Sequence, residues 1–207
     1  MDTFTTDEVF LGLLSVVAQL TALGLVIALV VGKFNARFGA QLRQQLSDLG
    51  VGLALAVSFV MMSGSLYLSE VKEYPPCRLC WLQRFAAYPV WLVLLLALLT
   101  KREWLRRFVA LPLVLMGMAI STYHVLLEKY PERFETATTC SIDNPCSARW
   151  IDGLLGYLTI PRMALSGFVL MALLLAFSPK ISSKPSAETE VAPDVNDADL
   201  GAASLTE

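Results

Sequence analysis

Five apolar blocks, each near the length that crosses a bilayer, leave this chain few folds to adopt. Residues 9–31, 49–69 and 85–100 carry no charged side chain, residues 108–127 carry only His124, and residues 154–177 carry only Arg162. The third block reaches back to Trp81 if Arg84 sits at the interface. A spanning helix needs about 20 predominantly apolar residues. Composition agrees, with 16% charged residues and a mean hydropathy of +0.59, where a soluble domain carries about a quarter charged residues. The expected fold is an all-α integral membrane protein, a four-helix transmembrane bundle plus one additional N-terminal transmembrane helix. The first block reads as a retained helix. A cleaved signal has a basic start and an apolar core of about 7–15 residues, whereas Asp2, Asp7 and Glu8 make this N-terminus acidic.

Basic residues orient the spans. The connection 32–48 holds Lys33, Arg37 and Arg43, the connection 101–107 holds Lys101, Arg102, Arg106 and Arg107, and Lys180 and Lys184 follow the last block. These segments alternate, so five spans put all of them in the cytoplasm. The N-terminus and the connections 70–80 and 128–153 then face outward. Those connections carry Glu70, Glu73, Glu128, Glu132, Glu135, Asp143 and Asp152, tempered by Lys72, Arg78, Lys129, Arg133 and Arg149. All four cysteines fall in the two outward connections, where the compartment permits disulfides. Short spacings favour Cys77–Cys80 and Cys140–Cys146 as resting pairs. The expected organisation is an N-terminal helix with its connection (1–48), a four-helix bundle (49–178) and a cytoplasmic tail (179–207). From about residue 182 the tail is rich in Ser, Pro, Ala, Glu and Asp, with no aromatic residue, a composition that remains disordered. Small residues of the second block (Gly50, Gly52, Ala54, Ala56, Ser63, Gly64, Ser65) read as ordinary close helix packing.

The chemistry centres on Cys77-Arg-Leu-Cys80, with Gln83 and Arg84 just beyond it. A C-x-x-C pair closes as a reversible disulfide. Pro75-Pro76 keep the approach extended, so a helix is expected to begin near Leu79–Cys80, with its N-terminus stabilising a Cys80 thiolate. Arg84 follows Cys80 at i+4 and shares its helix face. A static clip is the plainer reading, but so small a loop is a weak staple. In the second pair, Asn144-Pro145 favours a turn. Asp143 would disfavour a thiolate there and Arg149 would favour one. The polarity of this loop suggests a pair free to swing between a partner and Cys77–Cys80.

Cys-x-Leu-Cys-x-x-Gln-Arg at the outer start of a span resembles the DsbB/BdbC family of membrane thiol oxidases. So do Cys140-x5-Cys146, Trp150-Ile-Asp-Gly153, Thr159-Ile-Pro161 and the run from Tyr123-His124 to Glu128. The resemblance covers about residues 50–178. It implies that Cys77 and Cys80 lie beside a quinone (ubiquinone or menaquinone), with Cys80 meeting the ring and Arg84 supporting it. It implies that Cys140 and Cys146 face a soluble thioredoxin-like, DsbA-like dithiol protein, with Cys140 the attacked sulfur. It also implies a bacterial cytoplasmic (inner) membrane and electron transfer in disulfide formation. The short Cys140–Cys146 loop looks closer to the BdbC-like branch, and the N-terminal helix is additional.

Other readings compete at particular residues. His124, near the outer end of the fourth block, is an interfacial anchor or a hydrogen-bond donor to a quinone carbonyl. Arg162 is a charge in an apolar run, yet Pro161 beside it places it within snorkelling reach of the surface. Trp81, Tyr88, Trp91, Trp104 and Trp150 read as aromatic belts, with Trp81 also placed to pack on a ring ligand. No metal and no nucleic-acid partner are expected; membrane lipid is. The alternatives are a thiol/quinone enzyme of the vitamin K epoxide reductase type, a four-cysteine metal site, or a scaffold with two clips.

Overall fold

The computed structural model describes residues 6–134, 140, 145–149, 151 and 157–178. The protein is an all-α membrane bundle. Its long helices are α1 (Thr6–Phe34), α2 (Ala36–Leu66), α3 (Arg78–Thr100), α4 (Leu111–Lys129) and, after the single turn α5 (Pro131–Phe134), α6 (Ile160–Phe177). Among the described residues five stretches suffice to cross a membrane: Val9–Phe34, Leu49–Val71, Arg78–Thr100, Leu105–Lys129 and Ile160–Phe177. The expected spans are therefore present, with shifted ends. The expected tail, Asp143, Asn144, Trp150, Asp152 and Gly153 lie outside the described residues.

The connection expected over 32–48 is almost wholly helical. Only Asn35 breaks it, with extended backbone and a side chain that accepts a hydrogen bond from the Phe38 amide at 3.2 Å. Such a cap satisfies one of the donors left open at a helix start. The two helices meet at glycines: a Cβ on Gly39 would lie 2.5 Å from the Gly32 carbonyl oxygen. At its far end α2 widens into a π-helical turn, Tyr67–Val71. Glu73 follows with a left-handed φ of 55°, and Tyr74-Pro75-Pro76 lead into α3.

In lipid, helix association rests on close packing and on interhelical hydrogen bonds. The centre of the bundle follows that rule. Ala54, Ala86, Val90, Leu94, Val114, Phe168 and Met171 form the buried core. Phe168 lies so close to Gly117 that a Cβ there would be 2.3 Å from the ring. Helix α1 packs on α2 and α6, and the Gln19 amide donates to Ser166 Oγ at 2.9 Å. At the other end, Ser178 Oγ donates to the Leu46 carbonyl at 2.7 Å. Arg106, buried in a second π-helical turn (Leu105–Ala110), pairs with Glu103 and donates to the Leu175 carbonyl at the end of α6.

The last helix starts at Ile160, later than the expected 154, because Thr159 is extended and Pro161 occupies its first turn. Arg162 then falls in that first turn. Its guanidinium donates to the Tyr157 carbonyl at 2.6 Å and stacks over the Tyr157 ring. Trp81 and Trp104 are exposed near helix ends. Trp91 and Tyr88 depart from the belt reading. Both lie mid-helix in α3, where Trp91 packs against Phe59 at 6.4 Å and Tyr88 lines a cavity.

Candidate active site

The start of α3 fixes the geometry of the first cysteine pair. The helix begins at Arg78, so Cys77 is its N-cap, and Cys77 Sγ accepts from the Cys80 amide at 3.3 Å. This corrects the expectation that the helix start serves Cys80. The extended Pro-Pro segment ends at Cys77, and the Cys80 amide of the first turn points back at that sulfur. Cys77 and Cys80 are thiols here, with sulfurs 2.8 Å apart, in place of the expected resting disulfide. The hydrogen bond from Cys80 is the main reason the Cys77 thiol is lowered from about 9 to about 4. Burial opposes that shift, while a hydrogen bond from His124 adds to it. The Cys77 sulfur, just outside the membrane span, is thus biased toward the thiolate.

Cys140 and Cys146 form the expected disulfide. The described part of their loop is docked, against the expectation of a free one. Cys146 is buried, with Cys140 half-buried beside it. Two residues of α4, four apart on one face, hold this loop. His124 Nε2 lies 3.1 Å from the Cys146 carbonyl, and Glu128 Oε1 lies 3.2 Å from Arg149 Nε, an ion pair without aligned hydrogen-bond geometry. The charge of Arg149 is therefore committed to a buried carboxylate, not free to favour a thiolate in the second pair. A carbonyl only accepts, so His124 Nε2 carries the hydrogen. Its other nitrogen, Nδ1, lies 3.3 Å from the Gln83 amide nitrogen, which donates to it. The same Nε2 is 3.8 Å from Cys77 Sγ.

His124 thus joins both cysteine pairs, a role its isolated position in the sequence did not reveal. The available signal was Gln83 and Glu128, both already part of the motifs. Cys77, Cys146, Leu79 and Leu127 form one buried cluster, with Cys80 and Cys140 packed against it. All four sulfurs therefore share one patch at one end of the bundle.

Arg84 does lie on the Cys80 side of α3, but its hydrogen bonds run to α2. Nε donates to Ser65 Oγ at 2.9 Å and Nη2 to the Ser65 carbonyl at 2.8 Å, while its carbon stacks 5.2 Å from the Trp81 ring centre. Beside these residues is a cavity of about 370 Å³. Cys77, Cys80, Arg84, Tyr88 and His124 line it, and Leu11 and Leu14 of α1 form part of its wall. That size is within the range of small-molecule sites.

The family model described as disulfide bond formation protein DsbB matches residues 47–178, which leaves out α1 and the first eleven residues of α2. Disulfide bond formation protein C of Bacillus subtilis strain 168 is 37% identical over 119 residues, 58% of this chain and 84% of that protein. A probable disulfide formation protein C of Halalkalibacterium halodurans is 39% identical over 110 residues, 53% of this chain and 78% of its own length. Probable disulfide formation protein C 1 of Bacillus anthracis is 34% identical over 130 residues, 63% of this chain and 91% of its own. No solved structure gives a significant match. With most of each relative covered and residues 47–178 matched, the chain belongs to the DsbB family of disulfide bond formation proteins, as a multi-pass membrane oxidoreductase of disulfide formation.

Proposed function

We propose that this protein takes two electrons from a soluble thioredoxin-like dithiol protein outside the cytoplasm and passes them to a membrane quinone. The observation that carries this reading is the single cluster of four cysteines beside a cavity. Cys140 is the more accessible sulfur of its pair, so a partner thiolate meets it first. That attack forms a mixed disulfide and expels Cys146 as a thiolate. The partner's second thiol then displaces Cys140 and leaves the partner oxidised. Cys146 attacks the oxidised inner pair at Cys77, expelling Cys80. Cys140 in turn attacks Cys146, which closes the outer disulfide and frees Cys77. Two electrons have moved inward, and the product is the arrangement seen here, with the outer pair bonded and the inner pair a dithiol.

A bound quinone would supply an acceptor for those two electrons and two protons, letting Cys77–Cys80 close again. The residues fit such a group. The Tyr88 hydroxyl is buried with no hydrogen-bond partner among the described residues, and Tyr88 lines the cavity with Cys80 and Arg84. A carbonyl acceptor answers that donor, and the Arg84 guanidinium provides fixed positive charge. The cysteine ends face outward in a bacterial cytoplasmic membrane, residues 49–178 carry the reaction, and α1 is an added wall. A four-cysteine metal site is disfavoured, since a disulfide takes two of its ligands.

The test is turnover of the purified protein in lipid nanodiscs, with a reduced thioredoxin-like partner and either ubiquinone or menaquinone. One quinone should be reduced per partner disulfide formed, and Cys77→Ser should abolish both. Partner oxidation without quinone consumption, or quinone reduction indifferent to Cys77→Ser, would overturn the reading.

A further inference from the structure

We propose that the reduced Cys77–Cys80 pair and His124 form a binding site for a thiophilic d10 metal ion, Cu(I) above all, and that the ion holds the inner pair reduced. Cys77 Sγ, Cys80 Sγ and a nitrogen of His124 lie within 4.8 Å of one another, and Cys77 and His124 are buried. Ligands bound at about 2.3 Å (sulfur) and about 2.0 Å (nitrogen) stand roughly 3.5–4 Å apart around a metal. The Cys77–His124 separation of 3.8 Å already meets that spacing. The sulfurs, 2.8 Å apart, need to part by about 1 Å. Rotation of a Cys side chain supplies such a movement.

The surroundings suit coordination through Nε2. When that nitrogen becomes a ligand, its hydrogen moves to Nδ1, which then needs an acceptor. Gln83 stands 3.3 Å away, and turning its amide over offers oxygen where nitrogen now donates. Metal-bound histidines are oriented by such an outer partner. Soft thiolate donors select Cu(I) and Zn(II). Two sulfurs and one nitrogen, with no fourth His, Cys, Asp or Glu in the group among the described residues, satisfy three-coordinate Cu(I) and leave Zn(II) short of its usual four. Coordination releases the proton shared by the sulfurs and gives up the His124 bond to the Cys146 carbonyl. The bound ion occupies both sulfurs, so the inner disulfide cannot close, and it loosens the outer loop from α4. Such an ion inhibits the chain; it is no cofactor, and the site goes beyond the metal-free reading of the sequence.

The test uses full-length Cys140→Ser/Cys146→Ser protein in detergent, reduced and kept anaerobic, so that only the inner sulfurs remain. It is titrated with Cu(I) held by bicinchoninate. One equivalent per chain should leave the chelator, and adding His124→Ala should weaken retention at least about tenfold. No competition with the chelator, or equal retention without His124, would sink the proposal. Should the His124 variant fail to fold, X-ray absorption of the Cu(I)-loaded double-serine protein decides. Two sulfur neighbours and one nitrogen support the site, and a linear two-sulfur centre refutes it. Wild-type chain that oxidises its partner while the double-serine chain takes up no Cu(I) sinks only the metal site. The converse result sinks only the oxidase reading.

Discussion

Arg84 separates two jobs that one side chain performs. Its fork ties the start of α3 to Ser65 of α2, and its charge stands at the cavity near Cys80. Arg84→Gln keeps hydrogen-bonding capacity and removes the charge. A charge-assisted contact in a partly desolvated site is worth a few kcal/mol, so quinone reduction should slow by about 10²-fold or more. Exchange between Cys140–Cys146 and the soluble partner should change little. Single-turnover stopped-flow of both steps checks this, and unaltered quinone kinetics would reduce Arg84 to a tether. Cys77 yields a second prediction. Its pKa is lowered to about 4, so the thiolate is present above that pH and is lost as pH falls through it. His124 contributes to the lowering, so His124→Ala should move the midpoint upward. Ultraviolet thiolate absorbance against pH, with the outer disulfide intact and the inner pair reduced, reads it directly. The motif showed Arg84 on the Cys80 face because both lie on one helix, where spacing is geometry. The partners Ser65 and His124 lie on other helices, and no local spacing reveals them.

Glycines at helix contacts make the packing of the elements testable. A Cβ at Gly117 would stand 2.3 Å from the ring of Phe168, which is fully buried and has nowhere to turn. Overpacking of that kind costs about 1–3 kcal/mol. At Gly167 the same test meets the sulfur of Met61 at 2.3 Å, the far part of a flexible, partly buried side chain, and at Gly52 it meets nothing within 4 Å. Thermal unfolding in detergent should therefore rank Gly117→Ala well below Gly167→Ala, with Gly52→Ala near wild type. Equal midpoints for all would contradict the α4–α6 contact described here. Helix α1 also gains a role at this scale. It lies outside the family match, yet Leu11 and Leu14 wall the cavity. Leu14→Trp should narrow it and raise the KM for quinone while leaving partner exchange intact, as steady-state kinetics with each substrate varied would show.

Orientation belongs to the molecule as a whole. The basic connections alternate with the cysteine segments, so an impermeant maleimide applied to reduced, intact cells should label the cysteines. Labelling only after the membrane is opened would reverse the topology and remove the oxidase reading with it. Span number, the position of the cysteine pairs and the shared face of Cys80 and Arg84 were all legible in the residues. Each depends on hydropathy or on spacing within one helix. The helix ends were less so. Asn35 alone breaks a helical run read as a connection, and the N-cap falls on Cys77, because caps depend on which amides the neighbouring backbone leaves open. Least legible was how the helices turn toward one another. Lipid tails are as apolar as leucine, so an apolar pattern cannot say which face of a span meets lipid and which meets protein. Packing α1 against α2 and α6 creates the cavity. Packing the segment of Cys140 and Cys146 against α4 brings His124 between the pairs, Glu128 to Arg149, and all four sulfurs into one cluster.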